Sequence, residues 1–321
     1  MKLKRREMVA SLAAAAGPAV GSSADRRREL YALMGDLPPR DRKVTATRRS
    51  LVDKGAYSIE TLVLDLNGIE AAPAYFLKPK GEPGRLPAVL FNHWHAGQYK
   101  LGKDDLLTAK RGSGLPAYAE DLTAAGYAVL CFDTWAFGER ATRTESDIFK
   151  DMLWKGQVMW GMMVYDSLKA LDYLISRDDV DPRRLGTLGM SMGSTMAWWT
   201  AALDERLKAT VDICCLTDFQ ALIANNNLSG HGVYYFVPGL LKHFTTSEIN
   251  ELIVPRAHLA LAGTRDKLTP PEGLDRVDAD LKKAYAAAGK PGNWKLVRED
   301  VAHEETLTMR REVMDFIKIH L

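Results

Sequence analysis

Cysteine is scarce: the 321 residues contain three, Cys131, Cys214 and Cys215. Each lies in or at the end of a strand-like apolar run, so they read as core residues and not as a disulfide framework. Neither Cys-x-x-Cys nor a neighbouring histidine cluster marks them as metal ligands. Also missing is any uninterrupted apolar run of about 18 residues, which argues against a spanning helix in the mature chain. An excess of one charge is absent too, since 43 Lys and Arg face 41 Asp and Glu for a formal balance of +2. A nucleic-acid partner would need a local basic patch, and the sequence shows none. What the chain has in quantity is apolar residues, 46%, enough for one large mixed domain or two small ones with a packed core.

The chain opens on Lys2, Lys4, Arg5 and Arg6, then an apolar stretch over residues 8 to 20, with Ser22 and Ala24 as small residues at signal-cleavage spacing. Arg5-Arg6 resembles a twin-arginine signal. Residues 1 to 24 are therefore expected to be an export signal and the protein to be periplasmic. A basic arm on a cytoplasmic protein is the alternative. Losing these residues removes four Lys/Arg and one Glu, so the balance of +2 becomes −1. Residues 25 to 56 are highly charged and interrupted by Pro38-Pro39. They read as an N-terminal extension with a short helix around residues 28 to 34, leading into a loop. The main domain is expected over residues 57 to 321.

Residues 58 to 66 and 71 to 77 flank an Asn67-Gly68 turn, a hairpin signal. Short apolar runs follow at 88 to 91, 128 to 132, 185 to 189, 209 to 213, 258 to 262 and 294 to 297, as in strands covered on both faces. Helical patterns lie near 117 to 125, 158 to 176, 195 to 203, 274 to 288 and 304 to 320. The alternation predicts an α/β domain: a mostly parallel central sheet of about eight strands with helices on both faces. Residues 217 to 250, rich in Asn, Gly, Tyr and Phe, break it as an insertion after the sixth strand. That insertion is a candidate lid or pocket wall.

Chemistry enters at Gly189-Met190-Ser191-Met192-Gly193, a G-x-S-x-G between a buried run and a helical one. A serine on such a strand-to-helix turn projects its hydroxyl above the sheet, and the flanking glycines let strand and helix pass without a Cβ clash. The acid and base should follow in the order Asp or Glu, then His, each just past a later strand. Asp266 follows the run ending at Gly263, and Glu272 is a more distant alternative. His303 follows the last run and precedes the last helix; the other histidines, His320 apart, all precede Asp266. Ser191, Asp266 and His303 are thus the candidate nucleophile, orienting acid and general base.

Two backbone amides should stabilise the oxyanion. The residue after the serine, Met192, supplies one. The loop Asn92-His93-Trp94-His95-Ala96-Gly97 supplies the other, from His95 or, alternatively, Trp94. His93 and His95 form His-x-His, but no third ligand accompanies them, so no metal is expected. Candidate substrate contacts are Trp94, Trp135 in the loop after the fourth run, and His231 and Tyr234 in the insertion, with Tyr235 and Phe236 beside them. The bland reading of the Trp135 segment is a Glu139–Arg140 ion pair with the indole covering the core.

With these residues in place, the chain resembles bacterial α/β-hydrolases of the acetyl xylan esterase and dienelactone-hydrolase-like group, often labelled prolyl-oligopeptidase-like. The resemblance runs from about Glu29 to the C-terminus. It is carried by Glu29-Leu-Tyr-Ala-Leu-Met-Gly-Asp-Leu-Pro-Pro39, the stretch from 93 to 104, Trp135 to Arg140, the G-x-S-x-G and His231-Gly-Val-Tyr-Tyr-Phe-Val-Pro-Gly239. It implies the α/β-hydrolase fold and hydrolysis of a small-molecule ester through an acyl-serine intermediate, without metal or organic cofactor. It also maps nucleophile, acid and base onto Ser191, Asp266 and His303. One departure stands out: relatives often show His-Gly-Gly where this chain has His95-Ala96-Gly97. A serine peptidase is the nearest rival, although about 80 residues before the third strand cannot hold the propeller such peptidases carry. A non-catalytic binding protein on the same scaffold is the rival from another class. Acyl group, alcohol and oligomeric state stay open.

Overall fold

The computed structural model describes residues 22–109 and 114–321. Its strands are β1 (Thr45–Asp53), β2 (Tyr57–Asp65), β3 (Ala72–Pro79), β4 (Leu86–Asn92), β5 (Ala128–Phe132), β6 (Val180–Met190), β7 (Leu207–Ile213), β8 (Ala257–Gly263) and β9 (Trp294–Glu299). They form one sheet in the order β1-β2-β3-β5-β4-β6-β7-β8-β9. The six from β5 to β9 in that order pair in parallel, and β1, β2 and β3 are antiparallel. The helices are α1 (Ser23–Ala32), α2 (Tyr118–Ala124), α3 (Glu145–Trp154), α4 (Met159–Ser176), α5 (Met192–Leu203), α6 (Phe219–Ala224), α7 (Thr246–Glu251), α8 (Pro271–Ala287) and α9 (Leu307–His320).

The sheet has nine strands where the pattern of apolar runs gave about eight, because the expected N-terminal extension supplies β1. All nine β1 residues are exposed. With neither face buried, Thr-Ala-Thr-Arg-Arg-Ser-Leu-Val-Asp has no need of apolar alternation and shows no strand signal. Backbone pairing to β2 holds it, with Arg49 bulged out of register. The helix of the extension also begins earlier than expected. Ser22 and Asp25 cap α1 reciprocally, Leu30 and Met34 are wholly buried, and Arg27 donates to the carbonyls of Ala202 and Leu252. The expected export signal lies outside the described residues except for residues 22 to 24, which form this cap and first turn.

Both faces of the interior strands are covered, as strands buried on two sides require. Ala88 and Leu90 of β4 join the core that holds α4, α5 and α8, whereas Val89 and Phe91 join the core that holds α2 and α9. Every residue of β5 and β8 is buried. Among the described residues no helix is long and apolar enough to cross a membrane.

Buried charge ties the loops of the sheet's carboxyl edge to this core. Arg140 and Asp166 pair at 2.9 Å with almost no exposure, and Asn67 donates to the same carboxylate at 2.7 Å. Arg140 also donates to the Asp133 carbonyl and lies 4.3 Å above the Trp135 ring. Lys103 holds Asp133 at 3.0 Å and Glu139 at 2.8 Å. Glu139 and Arg140 therefore pair with different partners and not with each other.

Candidate active site

Four non-glycine residues with positive φ stand just past the carboxyl ends of four adjacent strands: Ala136 after β5, Ala96 after β4, Ser191 after β6 and Cys214 after β7. Such strain persists only where the surroundings over-determine it. At Ser191 (φ 58°, ψ −119°) the surroundings are visible. A Cβ on Gly193 would collide with the Asn92 carbonyl, and one on Gly189 with the Gly193 backbone, so only glycines let β6, α5 and the β4 loop come this close. The Ser191 N–H donates to the Ile213 carbonyl at 2.8 Å, pinning the turn to β7.

His303 Nε2 lies 2.8 Å from Ser191 Oγ, and His303 Nδ1 lies 2.7 Å from Asp266 Oδ2. The three side chains that sequence order singled out thus form one hydrogen-bonded row. The Asp266 side chain is fully buried, and its other oxygen accepts the Leu268 N–H at 2.9 Å, which fixes the plane of the carboxylate. The His303 side chain keeps about a quarter of its surface, 25%, open toward the cavity. Glu272 lies in the first turn of α8, exposed and bonded to Asn225, away from this row.

The loop of His303 is placed by β8. Past the strand ends, the Thr264 N–H reaches the Glu299 carbonyl and the Arg265 N–H the Val301 carbonyl. A Cβ on Gly263 would overlap the carbonyl oxygens of Val301 and Ala302, which lead into His303. Gly263→Ala is therefore expected to push the imidazole off its partners and lower kcat about 100-fold, the effect of an ångström-scale misplacement. A steady-state assay with little change in kcat would show that the loop gives way elsewhere.

A cavity of about 280 Å³ opens over Ser191, lined among others by His95, Met192, Cys215, His231, Tyr234 and His303. Met192 is the first residue of α5, so its N–H has no intrahelical acceptor. The Trp94 N–H is directed to Asp105 at 3.3 Å. Trp94 and Trp135, both expected at the substrate, do not line this cavity. The His93 ring and Asp105 grip the Trp94 backbone, and the indole packs on the core beside α2 and α9. Trp135 is buried beneath the Arg140 guanidinium, which needs an aromatic cover in that dry position. His231 and Tyr234 line the cavity as expected.

His93 and His95 both turn to protein partners. His93 Nδ1 lies 3.0 Å from the Trp94 carbonyl and its Nε2 accepts the Thr134 N–H; burial pushes its pKa down. His95 Nδ1 accepts the Gly97 N–H at 2.9 Å, folding the loop onto its own side chain through Ala96 and Gly97, at φ 47° and 69°. Among the described residues no cluster of three or more metal-ligating side chains occurs.

The residue that sequence reasoning missed is Glu145, at the start of α3. Its carboxylate accepts the Tyr99 hydroxyl at 2.5 Å and the Tyr234 N–H at 3.0 Å, and lies 3.9 Å from His95 Nε2. Burial alone would raise its pKa, but hydrogen bonding with His95, Tyr99 and Tyr234 outweighs that and holds it below the ordinary value. The first turn of a helix favours the same charge. Burial, with the bond to Glu145, pushes Tyr99 up to about 12. Cys215, read from sequence as a core residue, also lines the cavity; burial raises its thiol to about 12.

Residues 114–288 match the dienelactone hydrolase family. The chain is 50% identical over 295 residues to YtaP of Bacillus subtilis (strain 168), a protein with a provisional hydrolase name, across 92% of this chain and 98% of that one. In three dimensions it is similar to a provisionally named acetyl xylan esterase from Bacteroides fragilis NCTC 9343, with a TM-score of 0.70 and 16% identity, covering 93% of this chain and 81% of that chain. It is also similar to a glucuronoyl esterase from Solibacter usitatus, with a TM-score of 0.63 and 16% identity, covering 92% of each chain. At such identities the likeness speaks for the fold, and the fold is the α/β-hydrolase fold.

Proposed function

Because the chain belongs to the dienelactone hydrolase family, we propose that it is a serine hydrolase acting on a small-molecule carboxylic ester, with Ser191 as nucleophile. The observation that carries this reading is the row of hydrogen bonds from Ser191 Oγ through His303 to Asp266, at 2.8 and 2.7 Å. As Ser191 Oγ attacks the ester carbonyl, His303 Nε2 takes its proton, while Asp266 keeps the other ring nitrogen protonated and steadies the imidazolium. The oxyanion of the tetrahedral intermediate is stabilised by the amides of Met192 and His95. His95 is preferred to Trp94 because the Trp94 amide already serves Asp105.

Collapse of the intermediate breaks the bond to the alkoxide, which leaves with the proton held by His303, and an acyl group remains on Ser191. Water then repeats the sequence, giving its proton to His303 and releasing the acid. A fluorophosphonate probe tests the reading directly. One label is expected per chain, on the peptide containing Ser191, and His303→Ala should slow labelling by at least about a thousandfold. A folded protein that takes no label would favour a binding role on a hydrolase scaffold.

A further inference from the structure

A second cavity, of about 340 Å³, lies in the insertion and shares two wall residues with the cavity over Ser191, His231 and Tyr235. Their rings stack at 4.8 Å and 20° and form the partition between the two spaces. The size is that of a small-ligand pocket. Its lining is otherwise almost wholly apolar, with Lys242 as the one charged residue.

Exposure makes this lining unusual. Ile223, Leu228, Phe236 and Leu241 are 49%, 38%, 37% and 38% exposed, and all four border this one cavity. Exposed apolar side chains scattered singly need no explanation, but four converging on a concave site mark a surface that apolar matter covers. Tyr235 is held by ring packing against Trp160, Phe219 and Phe236, whereas the polar contacts of the partition are long. His231 Nε2 lies 3.3 Å from the Leu268 carbonyl and the Tyr235 hydroxyl 3.5 Å from Thr195 Oγ1, both at or beyond the long end of hydrogen bonding. The segment itself consists of short single turns at Leu228–Gly230, Val233–Tyr235 and Leu240–Lys242.

Resting on the Ser191 mechanism proposed above, we infer that the substrate ester carries a linear apolar chain and that this second cavity receives it. The reacting carbonyl sits over Ser191, and the chain passes the His231–Tyr235 ring pair into the apolar space. His231 and Tyr235 then act as specificity residues: they separate a short-chain cavity from a long-chain one and set what it takes to join them.

The test uses the full-length protein and two series of esters. One is the p-nitrophenyl esters from acetate to decanoate; the other is the acetates of linear alcohols from ethanol to octanol. The two arms distinguish a chain on the acyl side from one on the alcohol side. In one arm kcat/KM should rise by about fourfold for each methylene that becomes buried. Leu228→Trp and Ile223→Trp, both at exposed positions and both filling the cavity, should lower kcat/KM for the longest esters at least about tenfold more than for the shortest. His231→Ala, which opens the partition, should lower KM for long esters more than for short ones. A flat chain-length profile in both arms overturns the inference. So does an equal effect of the two tryptophan variants on short and long esters when circular dichroism shows them folded. Loss of the Ser191 reading has a different signature, namely no turnover of even the shortest ester and no fluorophosphonate label.

Discussion

Ser191→Ala is expected to lower the turnover of p-nitrophenyl acetate by roughly six orders of magnitude while the fold survives. The backbone should accept the change, because alanine keeps the Cβ that serine already carries at this positive φ of 58°, and Ala96 and Ala136 also stand at positive φ, 47° and 71°. No buried group is stranded either, since His303, the hydroxyl's partner, keeps a face toward the cavity. A hydroxyl, imidazole and carboxylate that act as one relay lose most of their effect when any key member is removed. Ser191→Ala combined with His303→Ala should therefore be no slower than Ser191→Ala alone. Losses that multiply, measured as kcat over background hydrolysis, would mean that the two side chains act independently and would sink the relay.

Arg140→Met should cost about 3 to 5 kcal/mol of folding stability, because it leaves the Asp166 carboxylate buried without its cation. Both side chains have essentially no exposure, and Arg140 also holds the Asp133 carbonyl in the loop that Thr134 links to His93. Burial already pushes the Asp166 carboxyl above its ordinary value despite Arg140, and removing the guanidinium raises it further. A carboxyl whose pKa is higher folded than unfolded binds more protons in the native state, so its deficit grows as pH rises. The loss measured by urea unfolding should be larger at about pH 8 than at about pH 5. Asp166→Asn in the Arg140→Met background should restore part of the stability. An Arg140→Met protein as stable as the parent would mean that the pair contributes nothing the core cannot replace.

The hydrogen-bonded row of Ser191, His303 and Asp266 was legible because each member obeys a local rule: a glycine-flanked serine between strand and helix, then an aspartate and a histidine just past later strands. The parallel sheet was legible for a similar reason, since strands buried on both faces must read as short apolar runs. What escaped lacks such a rule. β1 buries nothing and so carries no pattern. Glu145 meets partners 46 and 89 residues away, and no spacing announces that meeting. Trp94 and Trp135 stand at the correct edge of the sheet, but which way an indole turns there depends on distant side chains such as Asp105 and Asp166, the latter acting through Arg140. Residues 1 to 21, where most of the expected export signal falls, lie outside the described part of the chain.

One carboxylate, that of Glu145, grips both the loop bearing His95 and the turn bearing Tyr234. The two walls of the cavity over Ser191 therefore share one anchor, and a displacement of either is felt by the other.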